Sequence, residues 1–188
     1  MKLPRIVGVA GTNGSGKDTL GDLLSIECQY NVVSLSDLLR EELTRQNKPH
    51  TRKNLSGLSA QIRQVEGDGA MTNRVIQTYD TSEKGLCITS IRTPGEAQAV
   101  KDSGGVMIWV DADPSIRYQR VVSGVRGRLT DTVSFEEFIR QEEAELTPTV
   151  AGGGLNMASV KKISDRYLEN NFATLEEYKQ FLREYFEF

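Results

Sequence analysis

Short apolar runs rich in Val and Ile alternate along the chain with longer stretches whose apolar positions recur every three or four residues. The first pattern predicts strands buried on both faces and the second predicts amphipathic helices. Their alternation is that of parallel strands joined by crossover helices. Strands are expected at 5–10 (RIVGVA), 31–35 (NVVSL), 86–90 (LCITS), 106–111 (VMIWVD) and, more weakly, 166–170 (RYLEN). Helices are expected at about 16–28, 36–47, 55–66, 70–80, 95–102, 114–123 and 134–146. A last helix, over 174–186, opens with Thr174 and has Glu177 three residues on, the spacing of a capping box.

This pattern predicts a three-layer α/β domain: a parallel sheet of about five strands, helices on both faces, and ligands at the carboxyl ends of the strands. No internal repeat or low-complexity tract divides the 188 residues, so one domain over 1–188 is expected. Two mobile parts would interrupt it, a helical insertion at about 36–85 and a short arginine-rich lid at about 120–132.

A formal charge of −3 argues against binding nucleic acid through general electrostatics and confines any anion site to a local pocket. Cys28 and Cys87 lie far apart with no metal-like spacing, so both read as reduced, buried thiols. The apolar run in MKLPRIVGVAG is too short for a signal peptide or a membrane span. A cytoplasmic protein with no membrane and no nucleic-acid partner is therefore expected.

The chemistry begins in VAGTNGSGKDTLGDLL, residues 9–24. Gly11, Gly16 and Lys17 have the spacing GxxxxGK, after a predicted strand and at the start of a predicted helix. In such a loop, over Gly11, Thr12, Asn13, Gly14, Ser15, Gly16, Lys17, Asp18 and Thr19, backbone N–H groups turn inward around an anion. The helix N-terminus adds partial positive charge, and Lys17 reaches the terminal phosphates of a nucleotide.

These residues resemble the P-loop nucleoside monophosphate kinases, the family of the adenylate kinases and, more distantly, the dephospho-coenzyme A kinases. Where adenylate kinases read Gly-Lys-Gly-Thr this chain reads GKDT, as some deoxynucleotide kinases do, so Asp18 stands in place of a glycine. VSLSDLLREE (33–42) resembles the family segment Thr-Gly-Asp-Met-Leu-Arg, with Asp37 and Arg40 at matching places. ITSIRTPGEAQ (88–98) resembles Asp-Gly-Phe-Pro-Arg-Thr, with Arg92 matching the arginine that grips the acceptor phosphate. YQRVVSGVRGRLTD resembles the arginine-bearing lid, and SDRYLENNFATLEEYKQFL the closing strand and helix.

The resemblance implies an ATP-dependent, Mg²⁺-assisted transfer of a phosphoryl group to a ribo- or deoxyribonucleoside monophosphate, giving a diphosphate and ADP. It places Lys17 on the donor's β and γ phosphates, Arg40 and Arg92 on the acceptor phosphate, and Arg120 against the donor base. Arg126 and Arg128 would close over the phosphates from the lid. Such a reaction needs little more than positive charge holding two anions in line, which arginine forks supply well. It therefore fits a chain whose single histidine, His50, lies in a polar NKPHTRK stretch and which offers no nucleophile–base set. Arg63, Arg74 and Arg140 are further pocket candidates on predicted helices, where an outward-facing charge is the ordinary alternative.

The family holds Mg²⁺ through water with one aspartate after the second strand and another after the third. Asp37 keeps the first place, but the second is taken by Thr89, followed by Ser90. Two roles suit Asp18: a replacement carboxylate beside the ion, or a simple charge at the helix N-terminus. Asp113 precedes Pro114 and reads as a helix cap, while Asp111 ends a strand without an assigned task. At the offset where adenylate kinases carry a base-reading glutamine this chain carries Glu96, with Gln98 two residues on. Glu96 is expected to accept a hydrogen bond from an exocyclic amino group of the acceptor base, or to face solvent. Competing readings are a kinase for another small acceptor, such as dephospho-coenzyme A, and a regulatory nucleotide-binding protein without turnover, which Thr89 favours.

Overall fold

The computed structural model describes residues 3–80, 82–123, 133–146 and 155–188. Among these residues five strands form one parallel sheet. They are β1 (Ile6–Gly11), β2 (Tyr30–Ser34), β3 (Gly85–Thr89), β4 (Val106–Asp111) and β5 (Arg166–Glu169), in the spatial order β2-β3-β1-β4-β5. All five lie where the apolar runs predict them.

The helices are α1 (Lys17–Cys28), α2 (Leu35–Arg45), α3 (Arg52–Glu66), α4 (Ala70–Thr78), α5 (Pro94–Asp102), α6 (Pro114–Ser123), α7 (Phe135–Leu146), α8 (Met157–Ile163) and α9 (Leu175–Phe186). Only α8 lacks a counterpart in the sequence reading. It has seven residues, too few for a helical repeat to show, and its signal is local: the Asn156 side chain caps it by accepting from Ser159 N–H. The Thr174–Glu177 capping box at the head of α9 is present.

The sheet is apolar on both faces because alternate residues of each strand point to opposite sides. Leu86, Ile88, Met107 and Trp109 meet Leu35, Met71, Val75, Ala97, Val100 and Val160 on one side. Val7, Val9, Cys87, Ile108 and Val110 meet Leu20, Leu24, Tyr178 and Leu182 of α1 and α9 on the other. The insertion between β2 and β3 thus consists of α2, α3 and α4, and Leu35, Met71 and Val75 bury it in the first core. Both cysteines are free; burial pushes the Cys87 thiol up to about 12 and raises the partly exposed Cys28 as well. None of the described helices is long and apolar enough to cross a membrane.

Leu20 sits three residues beyond Lys17 and is fully buried. Leu20→Ala should destabilise the fold by about 2–5 kcal/mol, measured by urea denaturation. A loss below about 1 kcal/mol would mean that this side chain is not part of a tightly packed core.

Candidate functional site

Parallel pairing brings the carboxyl ends of all five strands to one edge of the sheet, and the loop joining β1 to α1 crosses that edge. Gly16, the N-cap of α1, has φ 95°, a left-handed conformation, and a Cβ there would lie 2.3 Å from Asn170 Nδ2. A Cβ at Gly11 would lie 2.1 Å from the Val110 carbonyl oxygen. Gly11 is therefore required by close backbone approach and Gly16 by its left-handed conformation. Asn170, just past β5, donates from Nδ2 to the Ser15 carbonyl at 2.8 Å, holding the loop from behind. Lys17 Nζ lies 3.8 Å from Asp18 Oδ1, and the Lys17 side chain is largely covered.

Asp111, left without a task by the sequence, is a junction. Its Oδ1 accepts from Thr12 Oγ1 at 2.8 Å and from its neighbour's Ala112 N–H at 3.0 Å. Its Oδ2 accepts from Trp109 Nε1 and Lys161 Nζ, both at 3.1 Å. Burial on its own would raise the Asp111 carboxyl, but the hydrogen bonds from Thr12, Trp109 and Lys161 outweigh it and hold the group below the usual carboxylate range. Beside it the buried Arg117 donates from Nε to the Ala112 carbonyl and grips Glu142 of α7 with both Nη atoms. A Cβ on Gly14 would meet the Arg117 carbonyl at 2.6 Å, so α6 packs directly on the loop.

Arg92 lies in the turn between β3 and α5. Its carbonyl accepts from Asn156 N–H at 3.1 Å, and its guanidinium donates to Glu145 Oε2 at 2.8 Å. Arg52, at the start of α3, donates to Gln141 Oε1 at 2.7 Å and lies 3.5 Å from Glu145 Oε1. Arg52, Arg92, Gln141 and Glu145 line one narrow cleft with Gly11, Thr12 and Asn13 of the loop, open in part to solvent.

Glu96 does not face this cleft. It is 4% exposed and closes the capping box of α5, its carboxylate accepting from the N–H groups of Arg92 and Thr93. The expected contact with an acceptor base is therefore corrected: a Thr-x-x-Glu spacing at a helix start has turned the carboxylate inward. Burial raises the Glu96 carboxyl, and those two N–H groups oppose the rise. Gln98 bonds Asp102 along its own helix.

At the ends of β2 and β3, the hydroxyls of Ser34, Ser36 and Ser90 lie 3.1–3.5 Å apart. Ser90 has φ 63°, an uncommon conformation for a residue other than glycine. Arg40 donates to Ser36 Oγ at 3.0 Å and pairs with the exposed Asp37. Thr89 is 5% exposed at the tip of β3. Arg120 is half-buried, donating to the Phe172 carbonyl at 3.0 Å and to Asn170 Oδ1 at 3.3 Å. Partial burial lowers its guanidinium from the ordinary value, and the neighbouring Tyr178 opposes the change.

Among the other candidates, Arg63 turns inward, bonded to Ser59 and 3.8 Å from Asp68. Arg74 pairs with Glu66 and Arg140 with Glu137 on exposed helix faces. His50 is exposed and bonds Thr44. Arg126 and Arg128 lie outside the described residues. Among those described, no three His, Cys, Asp or Glu side chains are grouped as a resident metal would require. Asp18 and Asp37 carry the kind of hard oxygen donor that Mg²⁺ takes, and that ion keeps most of its waters and shares phosphate ligands with a nucleotide.

A glycine loop between β1 and α1, on a sheet ordered 2-3-1-4-5, defines the class: a P-loop nucleotide-binding fold of kinase type. A family model described as "AAA domain" matches residues 7–143. A UPF0200 protein of Sulfurisphaera tokodaii is 31% identical over 180 residues, covering 95% of this chain and 94% of that one. One from Thermococcus sibiricus is 33% identical, covering 75% and 76%. The chain belongs to the AAA domain family of that model and to the UPF0200 proteins. Among solved structures, shikimate kinase from Bacteroides thetaiotaomicron superposes with a TM-score of 0.66 at 15% identity, covering 97% of this chain and 98% of its own. Shikimate kinase from Acinetobacter baumannii, in complex with shikimate, gives 0.55 at 17% identity, covering 98% and 94%. At these identities the likeness is one of fold.

Because the folded-state pKa of Asp111 lies below that of an unfolded aspartate, about 3.9, its stabilisation is fully present above that pH. It is lost as the pH falls through the lower folded value. Asp111→Asn should be less stable than the parent at pH 7, with the gap closing in acid, followed by urea midpoints from pH 7 to 2.5. A gap of constant size would show that the charge on Asp111 is immaterial.

Proposed function

We propose that this protein is an ATP-dependent phosphotransferase whose acceptor is a nucleoside monophosphate, ribo- or deoxyribo-. The observation that carries the reading is the shared cleft: the Arg92 guanidinium and the first residues of the phosphate loop line the same space. A donor phosphate on the loop and an acceptor phosphate on Arg92 would face each other across it.

Loop N–H groups and Lys17 would hold the donor's phosphates, with Arg120 beside the donor base. Arg92 and Arg40 would orient the acceptor, Ser36 and Asp37 steadying Arg40. An acceptor phosphate oxygen attacks the γ-phosphorus as its bond to the ADP oxygen breaks, and ADP carries away that electron pair. The attacking oxygen is already ionised, so no side chain must take its proton. This suits a chain whose only histidine, His50, is exposed and bonded to Thr44. Mg²⁺, held by Asp18 and Asp37, directly or through water, would neutralise charge on the phosphates. Arg126 and Arg128 remain candidates for closing over them.

Thr89 favours a second reading, a nucleotide-binding regulator without turnover, because no carboxylate stands at the end of β3. The discriminating assay is ADP release from ATP and Mg²⁺ against a panel of nucleoside monophosphates, dephospho-coenzyme A and shikimate, with products identified by mass. Turnover of a monophosphate should fall about a hundredfold or more in Lys17→Ala and in Arg92→Ala. ATP binding with no transfer to any acceptor would replace the kinase reading with the regulatory one.

Asp18→Ala should raise, severalfold, the Mg²⁺ concentration needed for half-maximal turnover. An unchanged Mg²⁺ dependence with a lowered melting temperature would instead assign Asp18 to the helix N-terminus.

A further inference from the structure

Arg52 has no counterpart in the motifs that mark Arg92 and Arg40, yet it faces the same cleft. Its backbone position is defined, because Thr51 caps α3 and its side chain accepts from Asn54 N–H. Arg92 is fixed independently by the α5 capping box and by Asn156. Between the two guanidiniums lies one carboxylate. Glu145 gives Oε2 to Arg92 at 2.8 Å and Oε1 to Arg52 at 3.5 Å, one oxygen to each arm.

We infer that Arg52 and Arg92 form a two-armed site for the phosphate of the acceptor, held in this state by the Glu145 carboxylate. The proposal deepens the phosphotransferase reading and rests on it for the identity of the ligand. Its chemistry is plain. Two planar forks presenting donors to separate oxygens suit a tetrahedral anion, and a phosphate monoester brings twice the charge of a carboxylate. Both arginines are partly exposed, 48% for Arg52 and 38% for Arg92, so the resident pair is weak enough to exchange. Glu145 stands in the last turn of α7, whose Glu142 is tied to Arg117 beside the loop. Release of Glu145 by the acceptor would thus free one of the contacts joining α7 to the acceptor side.

The test titrates inorganic phosphate by calorimetry into the full chain with Mg–ADP present to fill the loop. Glu145→Gln removes the competing charge at constant shape and should tighten phosphate about three- to fivefold. Arg52→Gln should weaken it about tenfold. Affinity that is unchanged or weaker in Glu145→Gln overturns the placeholder role, because a residue that merely supports the site would lose affinity. Should that variant fail to fold, as judged by circular dichroism, Arg52→Gln decides alone: an unchanged phosphate affinity overturns the site. Phosphate binding that responds as stated while no acceptor turns over sustains the site and defeats the kinase reading. Turnover with phosphate affinity indifferent to both substitutions does the reverse.

Discussion

A carboxylate that is largely out of water must be surrounded by donors, and the structure around the phosphate loop is organised by how Asp111 meets that demand. Its partners come from the loop, from its own strand and from α8, through Thr12, Trp109 and Lys161. Lys161 also lies over the Trp109 ring, 5.5 Å from its centroid, so the same cation closes the top of the core. The loop is thus tethered to the end of β4 through Thr12 and Asp111, and to the end of β5 through Ser15 and Asn170. Backbone groups aimed at an anion work only if they do not have to be organised when it arrives, and these two tethers supply that rigidity.

The cleft shows the same economy with charge. A chain of net charge −3 gives its guanidiniums near the loop carboxylates of its own: Glu145 for Arg92 and Arg52 in the cleft, Glu142 for the buried Arg117. The pairs differ in burial, and burial sets their exchangeability. Arg117 is 4% exposed and bound at both Nη atoms, so removing Glu142 would leave its guanidinium in the interior with only Asp111, 3.7 Å away, to balance it. Arg92 and Arg52 reach solvent and can trade one anion for another. One helix, α7, supplies both kinds of partner from successive turns.

Legibility followed the range of the interaction. The five strands and the two glycines of the loop were readable because strand burial and phosphate-loop geometry are local rules written in neighbouring residues. The Thr174 capping box was readable for the same reason. The equivalent box at Thr93 and Glu96 obeys the same rule, but a competing family offset drew Glu96 toward the acceptor; the sequence signal that could have corrected it is Thr-Pro-Gly-Glu itself. Arg52, Glu145, Lys161 and Arg117 carried no such signal. Each is a charged residue on a helix, indistinguishable in sequence from Arg74 or Arg140, which do face solvent.

The sequence by itself determined the parallel three-layer sheet, the place of the phosphate loop and the presence of Lys17 at its exit, since these rest on periodicity and on motif spacing. Only the tertiary structure decided which carboxylate meets which distant partner: that Asp111 anchors Thr12, and that Glu145 lies between Arg52 and Arg92. The partners in those contacts come from strands and helices as many as 99 residues apart, and crossover topology alone brings them together.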